Sequence, residues 1–457
     1  MSQRFNSLNE WLDWQESLHW TDIDLGLNRI RKVAERMQLL TCSFPIITVA
    51  GTNGKGSTVA FLEAILLAAG YRTGSYTSPY LYRYNERIKL SAKDTEDALI
   101  CTAFEAIDNA RAGTNSDDAG KNEEDISLTY FEFATLAAMW IFKQQKVDVA
   151  ILEVGMGGRL DAVNLWDADV AIITSIGIDH VKWLGDNRED IGFEKSGIMR
   201  SGKPVVSGDP KPPVSIAKHA TDIKAILYQV GEHFLWNLEA NDWHLTIADS
   251  SKTELTALPF PALKGNFQFN NAAVAITALF LLKDKIATNE RSIRDGLQQV
   301  RLLGRLEQIQ TAPDIILDVA HNAHAAKQLA QWLSENNVAD LSEQKLERNP
   351  EENRIDNQLG KTYALFSMLD DKDIGEVVAV MHPHIDEWFV SSLDDPRGLQ
   401  VDDVVHKMQQ VKVIGSRIHP FDTLQEAWKA CKLQLKPADK VIVFGSFLVL
   451  CQFKVIF

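Results

Sequence analysis

The chain has 457 residues, of which 45% are hydrophobic and 24% charged, and its formal net charge is −15. This length predicts two or three domains rather than one hydrophobic core, and the composition excludes wholesale disorder. The net negative charge argues against nucleic acid or an anionic membrane as a partner. The four cysteines form no close pair and no metal-ligand spacing, so we expect free thiols in a reducing compartment.

The sequence contains no recognisable signal for export or membrane insertion. Residues 1–15 have no apolar segment preceded by basic residues, as a secretory signal would. The longest apolar run, at about 170–178, is roughly half the length of a membrane-spanning helix. We therefore expect a cytoplasmic protein, and we expect it to be a monomer.

Short apolar runs alternate with helix-period segments, which is typical of parallel strands joined by crossover helices. The predicted elements are, in chain order, strands 45–50, 147–154, 169–176 and 204–207 with helices 127–143 and 270–282, then a linker at 298–303 and strands 315–319, 363–366, 387–390, 411–414 and 440–444. This order predicts an α/β fold with a domain over 1–299 built on a parallel sheet and a smaller α/β domain over 300–457. Two polar inserts, 112–125 and 340–360, are predicted to be solvated loops.

A glycine-rich segment, Gly51-Thr52-Asn53-Gly54-Lys55-Gly56-Ser57-Thr58, lies between the first of these strands and a helix. Glycines let backbone N–H groups turn toward a phosphate, Lys55 supplies positive charge, and a following hydroxyl can reach Mg²⁺. Two residues rather than the usual four separate the first glycine from the Gly-Lys pair. Strand, glycine loop and helix together predict a phosphate site, and the alternative is a glycine turn with a chance lysine.

Two further side chains are predicted at the same edge of the sheet. Glu153 lies near the end of its strand, and His180 follows the next strand along the chain. Ligands bind at the carboxyl ends of parallel strands, where a carboxylate or an imidazole can hold a metal ion. The alternatives are a solvated acid and a structural histidine. Lys195, taken alone, would be a surface lysine.

Several longer runs resemble the folylpolyglutamate synthase and dihydrofolate synthase family, within the wider Mur ligase group. They are GTNGKGST, TSPYLYRYNERI, SLTYFEFATLAA, LEVGMGGRLDAVN, TSIGIDHVKWLG, EKSGIMR and LDVAHNAHAA, with weaker similarity in FSMLDDKD and FGSFLVL. Tyr80 departs from the family, which often has histidine there, and Leu303-Gly304-Arg305 replaces Pro-Gly-Arg. The runs cover nearly the whole chain.

The resemblance implies a phosphate-loop NTPase-like domain of the central Mur ligase type, followed by a Rossmann-like glutamate ligase domain. It also implies an ATP-dependent ligase that joins L-glutamate to dihydropteroate and to reduced folates. In such enzymes the substrate carboxylate takes the γ-phosphoryl group of ATP, and the amine of glutamate attacks the resulting acyl phosphate to form an amide. Positioning two anions and neutralising their charge is then most of the catalysis.

The site residues that the resemblance implies fall into four sets. The ATP-binding set is Thr52, Asn53, Gly54, Lys55, Gly56, Ser57, Asn271, Arg305 and Asp318. Magnesium, at two expected sites, is held by Ser57, Ser78, Glu153, His180 and Lys195, the last carbamylated by CO₂. Dihydropteroate or folate contacts Thr129, Tyr130, Phe131, Glu132, Leu160, Asp161 and Ala162, although a buried core helix is the alternative for 129–133. Glutamate contacts His321 and Ser446, and the catalytic set is Lys55, Lys195 and His180.

The leading interpretation is a bifunctional dihydrofolate synthase and folylpolyglutamate synthase. An enzyme with only the polyglutamate activity is the close alternative, and a cell-wall amino-acid ligase of the same group is a weaker one. A phosphate-loop switch or nucleotide-sensing module is the alternative from another class. The chain lacks an Asn-Lys-x-Asp guanine motif, and a switch has no need of His180 with Lys195.

Overall fold

The computed structural model describes residues 4–21, 23–113, 124–248, 252–346 and 360–457, without the side chains of 337–346. The described chain divides into two compact units. The first comprises Met1–Ala262 and Gln268–Arg301, and the second comprises Leu263–Phe267 and Leu302–Phe457. The sequence predicts a single boundary at 299/300 and takes no account of the short segment that belongs to the second unit.

The first unit is built on a sheet that is parallel at its centre. Its strands are β1 (Ile46–Ala50), β2 (Thr73–Tyr76), β3 (Ile88–Leu90), β4 (Lys93–Asp94), β5 (Val149–Glu153), β6 (Val170–Ile173), β7 (Pro204–Ser207), β8 (Ile226–Gln229), β9 (Phe234–Leu238), β10 (Trp243–Ile247) and β11 (Thr253–Leu258). The large sheet has the order β4-β3-β2-β5-β1-β6-β7-β8, and β9 to β11 form a second, antiparallel sheet. The six strands β2, β5, β1, β6, β7 and β8 pair in parallel, while β3 and β4 add antiparallel beside β2. The central strands β1 and β5 are buried along their whole length, which explains their continuous apolar sequences.

Helices cover this sheet and supply most of its core. In the described residues they are α1 (Leu8–Leu18), α2 (Asn28–Arg36), α3 (Lys55–Ala68), α4 (Asp97–Arg111), α5 (Tyr130–Gln144), α6 (Val181–Leu184), α7 (Arg188–Ser196), α8 (Val214–Ile223), α9 (Phe267–Leu281) and α10 (Glu290–Gln299). Three rings join α1, α4 and α5: Phe104 lies 5.9 Å from Trp11 and 5.3 Å from Phe133 between centroids. The rings are fully buried, so the N-terminal helix is part of the core.

The second unit has its own sheet and core. Its strands are β12 (Glu307–Thr311), β13 (Asp314–Leu317), β14 (Thr362–Phe366), β15 (Glu387–Ser391), β16 (Ile418–Phe421) and β17 (Lys440–Phe444), and its helices are α11 (Ala323–Leu346), α12 (Ile374–Met381), α13 (Val401–Gln410), α14 (Leu424–Lys432) and α15 (Phe447–Ile456). The sheet order is β12-β13-β17-β14-β15-β16, parallel except for β12. Phe366 anchors the core between Trp388 and Phe444, at 5.5 and 4.9 Å.

The strand predicted at 411–414 is wrong. Helix α13 ends just before it, a turn follows at 411–412, and the buried Val413 lies outside any strand. The strand lies instead at β16, whose Pro420 disguises it in the sequence. Proline is tolerated there because β16 is the edge strand of the sheet.

The loops predicted in the two polar inserts are described only in part. Residues 340–346, predicted as loop, continue helix α11, and 347–359 lie outside the described residues. Of the other insert, 114–123 lie outside them as well. In the part of the chain that the structure covers, every helix is too short or too polar to span a membrane.

The contact between α10 and α3 yields a stability prediction. A Cβ added to Gly296 would lie 2.6 Å from Ile65 Cγ1 and 2.7 Å from its Cα, so Gly296→Ala forces the two helices apart. We expect the variant to lose about 1–3 kcal/mol of unfolding free energy. Gly375→Ala, in α12, meets nothing closer than 3.4 Å and is the control, with no loss expected. Calorimetric melting of both variants measures the difference, and equal melting temperatures would contradict the close contact.

Candidate active site

The phosphate loop, residues 51–58, joins the end of β1 to the start of α3. Gly54 begins the helix with φ 88°, a conformation that favours glycine. At Gly51 a Cβ would lie 1.9 Å from Thr174 Oγ1, so only glycine lets the neighbouring strand approach. Lys55 Nζ donates to the carbonyls of Gly51 and Thr52 at 3.1 and 3.3 Å. The lysine thus folds back over a loop whose N–H groups begin a helix, the arrangement that binds phosphate.

The phosphate loop is bound to the segment that follows β6. Thr52 N–H donates to Ser175 O at 2.7 Å, and its hydroxyl exchanges hydrogen bonds of 3.0 Å with the N–H and carbonyl of Gly177. The carbonyl of Asn53 accepts from the hydroxyls of Thr174 and Ser175, at 2.7 and 3.0 Å. The chain leading to Asp179 and His180 therefore has a fixed position relative to the phosphate loop.

Glu153 and Ser78 meet at the carboxyl edge of the sheet. Glu153 is the last residue of β5 and pairs in register with Val49 of β1, one residue before the end of that strand. Its carboxylate accepts the Ser78 N–H at 3.2 Å and is 5% exposed. A buried carboxylate beside a half-buried serine is an oxygen-rich arrangement that suits Mg²⁺.

His180 lies where β6 leads into α6. It has φ 52° at the cap of this short helix, and its N–H donates to Asp179 Oδ1 at 2.8 Å. The residue is exposed. The segment before it is held by Thr52, which places its backbone beside the phosphate loop.

Lys195 is not a surface lysine, which corrects the interpretation from the residue alone. It is 4% exposed, in helix α7, and its Nζ donates to Gly51 O at 3.0 Å. Burial and, to a smaller extent, the charge of Lys55 lower the pKa of this ammonium to about 7, against the opposing effect of Asp179 and Asp161. Lys55 and Lys195 thus share one acceptor, the carbonyl of Gly51.

Helix α9 supports the phosphate loop through a residue that the sequence analysis missed. Gln268 is fully buried; its amide donates to Ser57 Oγ at 3.3 Å and accepts from Asn271 Nδ2 at 2.9 Å. Asn271 in turn lies against Gly54, since a Cβ there would be 2.6 Å from Asn271 Oδ1. The Gln-Phe-Asn-Asn sequence at the start of α9 is the only signal that marks Gln268.

Thr129 and Glu132 form the N-terminal cap of α5. The Thr129 hydroxyl accepts the Glu132 N–H at 3.2 Å, and the Glu132 carboxylate accepts the Thr129 N–H at 2.8 Å. This cap explains why the predicted helix 127–143 begins only at Tyr130. Glu132 also pairs with Arg29 at 3.2 Å, and Arg29 with Asp24. Glu132 therefore has structural partners both in the cap of α5 and at Arg29.

The other residues predicted for the pterin surround the turn after β5. A Cβ on Gly155 would lie 2.6 Å from the ring of Phe131, so the backbone passes directly over that ring. The buried Asp161 carboxylate accepts the N–H groups of Met156 and Val163, at 2.9 and 3.0 Å. Burial raises its pKa to about 6. Leu160 and Ala162 flank it, half-buried and buried.

A guanidinium group enclosed by tyrosines adjoins this region. The Arg87 carbon Cζ lies 5.2, 5.7 and 5.5 Å from the ring centroids of Tyr80, Tyr84 and Tyr130. Tyr130 belongs to the predicted pterin set, whereas Arg87 and Tyr84 do not. The tyrosine-rich run that precedes Arg87 contributes to the family resemblance, but no site was predicted from its aromatic residues.

In the second unit, the predicted residues gather around Phe447. The Arg305 guanidinium lies 5.4 Å from the Phe447 ring and the His321 ring 6.1 Å. Ser446 caps α15 by accepting the Val449 N–H at 3.1 Å. Asp318, whose pKa is raised by burial, accepts the N–H groups of Leu306 and Ala320. Arg305, Asp318, His321 and Ser446 thus lie on neighbouring turns of one unit.

Comparison with known proteins defines the class of this fold and site. The Mur ligase middle domain matches residues 49–279, and the Mur ligase glutamate ligase domain matches residues 352–447. Solved structures agree. Escherichia coli FolC in complex with DHPP and ADP has a TM-score of 0.85 and 38% identity, covering 100% of this chain and 99% of that one. The predicted α/β fold class is therefore confirmed.

The relatives narrow the class to one family. The dihydrofolate synthase/folylpolyglutamate synthase of Escherichia coli is 39% identical over 97% of this chain and 94% of its own. That of Haemophilus influenzae is 39% identical over 98% and 96%. A Yersinia pestis bifunctional enzyme solved with Mn and AMPPNP has a TM-score of 0.84 at 39% identity, covering 100% of this chain and 99% of that one. The chain belongs to the dihydrofolate synthase/folylpolyglutamate synthase family of Mur ligases.

The contact between Gly54 and Asn271 yields a binding prediction. Gly54→Ala puts an L-residue at φ 88° and a methyl group against Asn271, so we expect ADP affinity to fall at least about tenfold. Gly70→Ala is the matched control, because Gly70 follows the other end of α3 with φ 90° and nothing within 4 Å. It should cost about 1 kcal/mol of stability and leave ADP binding intact. Calorimetric titration with ADP decides, and a Gly54→Ala variant with parental affinity would remove the loop from the nucleotide site.

Proposed function

We propose that this protein is a bifunctional ligase that uses ATP to join L-glutamate to dihydropteroate and to reduced folates. The observation that carries the proposal is the convergence of Lys55 and Lys195 on Gly51 O, at the end of a phosphate loop. It occurs in a chain that matches bifunctional relatives over nearly its whole length. A nucleotide-sensing module has no use for a buried second lysine at this position.

The phosphate loop is suited to hold the triphosphate of ATP. Thr52 to Ser57 present the N-terminus of α3, and Asn271 lies against Gly54. Lys55 can exchange its two carbonyl acceptors for phosphate oxygens, which are stronger partners because they are charged. Arg305 and Asp318 stay predictions as nucleotide contacts, and His321 and Ser446 as glutamate contacts.

The donors at the sheet edge fit magnesium. Glu153 and Ser78 supply neighbouring oxygens and Ser57 a hydroxyl, the oxygen ligands that Mg²⁺ prefers, and His180 is proposed to add an imidazole nitrogen. Two sites are proposed, the second supported by Lys195 once it is carbamylated. Bound magnesium would neutralise charge on the phosphate oxygens. Two related structures contain Mn with AMPPNP.

Lys195 has the environment that carbamylation requires. Its pKa of about 7 leaves much of the amine neutral at physiological pH, and only the neutral amine attacks CO₂. The ammonium first loses one proton; the neutral nitrogen then forms a bond to the carbon of CO₂ and loses a second proton, so a cation becomes a carboxylate-like anion. This change would remove the repulsion between Lys195 and Lys55 and supply oxygens to a metal ion.

The reaction proceeds by activation of a carboxylate. An oxygen of the substrate carboxylate attacks the γ-phosphorus of ATP and ADP leaves, giving an acyl phosphate. The amine of glutamate then attacks the acyl carbon, phosphate leaves, and the amine loses a proton. Lys55 would stay bound to the phosphoryl group as it is transferred. Its side chain is flexible and its ammonium is a point charge, so its hydrogen bonds can pass from one phosphate oxygen to another.

The pterin or folate ring is proposed to bind near Phe131 and Asp161. An aromatic face and a buried carboxylate are what a flat, hydrogen-bonding heterocycle needs. Both Asp161 oxygens are already oriented by backbone N–H groups, so the acid is preorganised. Thr129, Tyr130 and Glu132 complete the proposed wall from α5, with Leu160 and Ala162 flanking the acid.

Both activities are proposed, rather than polyglutamate synthesis alone. The Lacticaseibacillus casei folylpolyglutamate synthase is 32% identical but spans 64% of this chain. The bifunctional relatives are 39% identical over 97–98% of it. A cytoplasmic location and a monomeric state stay predictions.

A product assay tests the function. Purified protein receives ATP, magnesium and glutamate with either dihydropteroate or a reduced folate, and the products are weighed by mass spectrometry. We expect one glutamate added to dihydropteroate and one or more to the folate, with ADP release dependent on both co-substrates. Lys55→Ala is the control for contaminating activity and should be inactive but folded. ADP release that ignores both co-substrates would instead indicate a nucleotide switch, and product from folate alone would leave only the polyglutamate activity.

Substitutions test the proposed carbamate on Lys195. Lys195→Ala should be nearly inactive, and acetate should restore part of its activity by supplying the missing oxygens. Lys195→Arg should not recover, because it keeps a cation where an anion is needed. NMR with ¹³C-bicarbonate should give a carbamate signal in the parent and none in either variant. The neutral amine fraction rises as pH increases through about 7, so the signal should strengthen from about pH 6 to about pH 8 at constant dissolved CO₂.

Either of two results would refute the carbamate. One is an arginine variant as active as the parent, and the other is a parent without the carbamate signal at saturating CO₂. Lys195 would then be a phosphate-facing charge.

A further inference from the structure

An ion pair outside the predicted site binds the backbone that leads to His180. Asp209 Oδ2 accepts the Ile176 N–H at 2.7 Å, and Arg188 Nε donates to Ile176 O at 3.0 Å. Arg188 Nη2 closes the arrangement by donating to the same Asp209 oxygen at 2.8 Å. One carboxylate–guanidinium pair therefore binds both the N–H and the carbonyl of Ile176.

Asp209 is tied to its own turn as well as to this pair. Its side chain is 5% exposed, while that of Arg188 is 40% exposed. Its second oxygen accepts the Lys211 N–H at 2.8 Å. A buried carboxylate is stable only if its oxygens are paired, so the geometry around Asp209 is strongly constrained.

The pair links two elements that lead to proposed magnesium ligands with the end of a third, β7. Ile176 lies four residues before His180, on the segment that Thr52 binds from the other side. Arg188 is the first residue of α7, the helix that carries Lys195. Asp209 follows the end of β7. One ion pair thus sets the backbone before His180 relative to the helix of Lys195.

We infer that Arg188 and Asp209 are positioning residues for the magnesium site. His180 follows the segment that this pair and Thr52 hold from opposite sides, so the position of its backbone depends on both. The described hydrogen bonds of the pair go to the backbone of Ile176 and Lys211, so it acts on His180 through Ile176. Outer contacts of this kind commonly change metal affinity by about 10-fold or more. The inference rests on the proposed role of His180 in metal binding.

The chain offers a matched control at the opposite end of the same sheet. Asp169 accepts the Ile46 N–H at 3.0 Å and pairs with Lys203 at 3.1 Å, with side-chain exposures of 15% and 41%. Like Asp209, it joins a backbone N–H and a cation on neighbouring elements, but it lies at the amino ends of β1 and β6. Asp169→Asn should destabilise the fold without reaching the metal site.

The test measures Mn²⁺ binding rather than turnover. Electron paramagnetic resonance titrations of the full chain with AMPPNP give the Mn²⁺ affinity of the parent, Asp209→Asn, Arg188→Lys, Asp169→Asn and His180→Ala. We expect Asp209→Asn and Arg188→Lys to bind Mn²⁺ about tenfold more weakly, with metal-free AMPPNP affinity unchanged. Hydrogen exchange of a peptide covering 174–180 should be faster in these two variants and unchanged in Asp169→Asn.

The outcomes separate this inference from the proposed function. Parental Mn²⁺ affinity in Asp209→Asn and Arg188→Lys, with His180→Ala weakened, would refute the positioning role and leave the metal ligand in place. Equal weakening in Asp169→Asn would show a general effect of stability and refute it too. Parental affinity in His180→Ala would overturn the metal assignment itself. If Asp209→Asn does not fold, Arg188→Lys alone decides, because it keeps the charge and loses the Nε–H bond to Ile176.

Discussion

The carbonyl oxygen of Gly51 accepts hydrogen bonds from two lysines, and the arrangement of the site depends on that shared acceptor. Two ammonium groups at one oxygen repel each other, and the buried one, Lys195, is the group whose pKa falls to about 7. The arrangement is therefore suited to anions: phosphates at Lys55 and a carbamate at Lys195 would each relieve the repulsion. The positive charge of the two lysines attracts anionic ligands before any specific contact is made.

Three elements meet at the end of β1, where the two lysines share the Gly51 carbonyl: the phosphate loop, the segment after β6 and helix α7. The absence of a side chain at Gly51 lets Thr174 approach, and the bonds of Thr52 and Asn53 then bring the segment after β6 into place. Helix α7 delivers Lys195 from another direction. Because each approach is fixed by backbone groups and short side chains, the site is held by the ends of regular elements rather than by long flexible loops.

The sequence was most informative where the backbone itself makes the site. The phosphate loop was predicted from its glycines and Lys55 between a strand and a helix, and Glu153 and His180 were placed at the same sheet edge because parallel strands bring their carboxyl ends together. Lys195 was not, because its burial arises from α7 packing, which no local pattern reports. Gln268, Arg188 and Asp209 were missed for the same reason: their partners lie 211, 12 or 21, and 33 residues away. The error at 411–414 came from strand propensity in a turn, and β16 was hidden by a proline that an edge strand tolerates.

The chain visits the second unit twice. It enters for Leu263–Phe267, returns to the first unit for most of α9 and for α10, and leaves again at Leu302. The segment 263–267 forms side-chain hydrogen bonds within the second unit: Asn266 donates to Glu335 at 3.0 Å and Lys264 to Gln308 at 2.8 Å. A gene fragment that begins at Leu302 would therefore lack part of its own unit, and one that stops at Ala262 would lack the helix that supports Ser57. No single cut separates the two units of this enzyme, so an exchange of the second unit during evolution would have to transfer 263–267 together with 302–457.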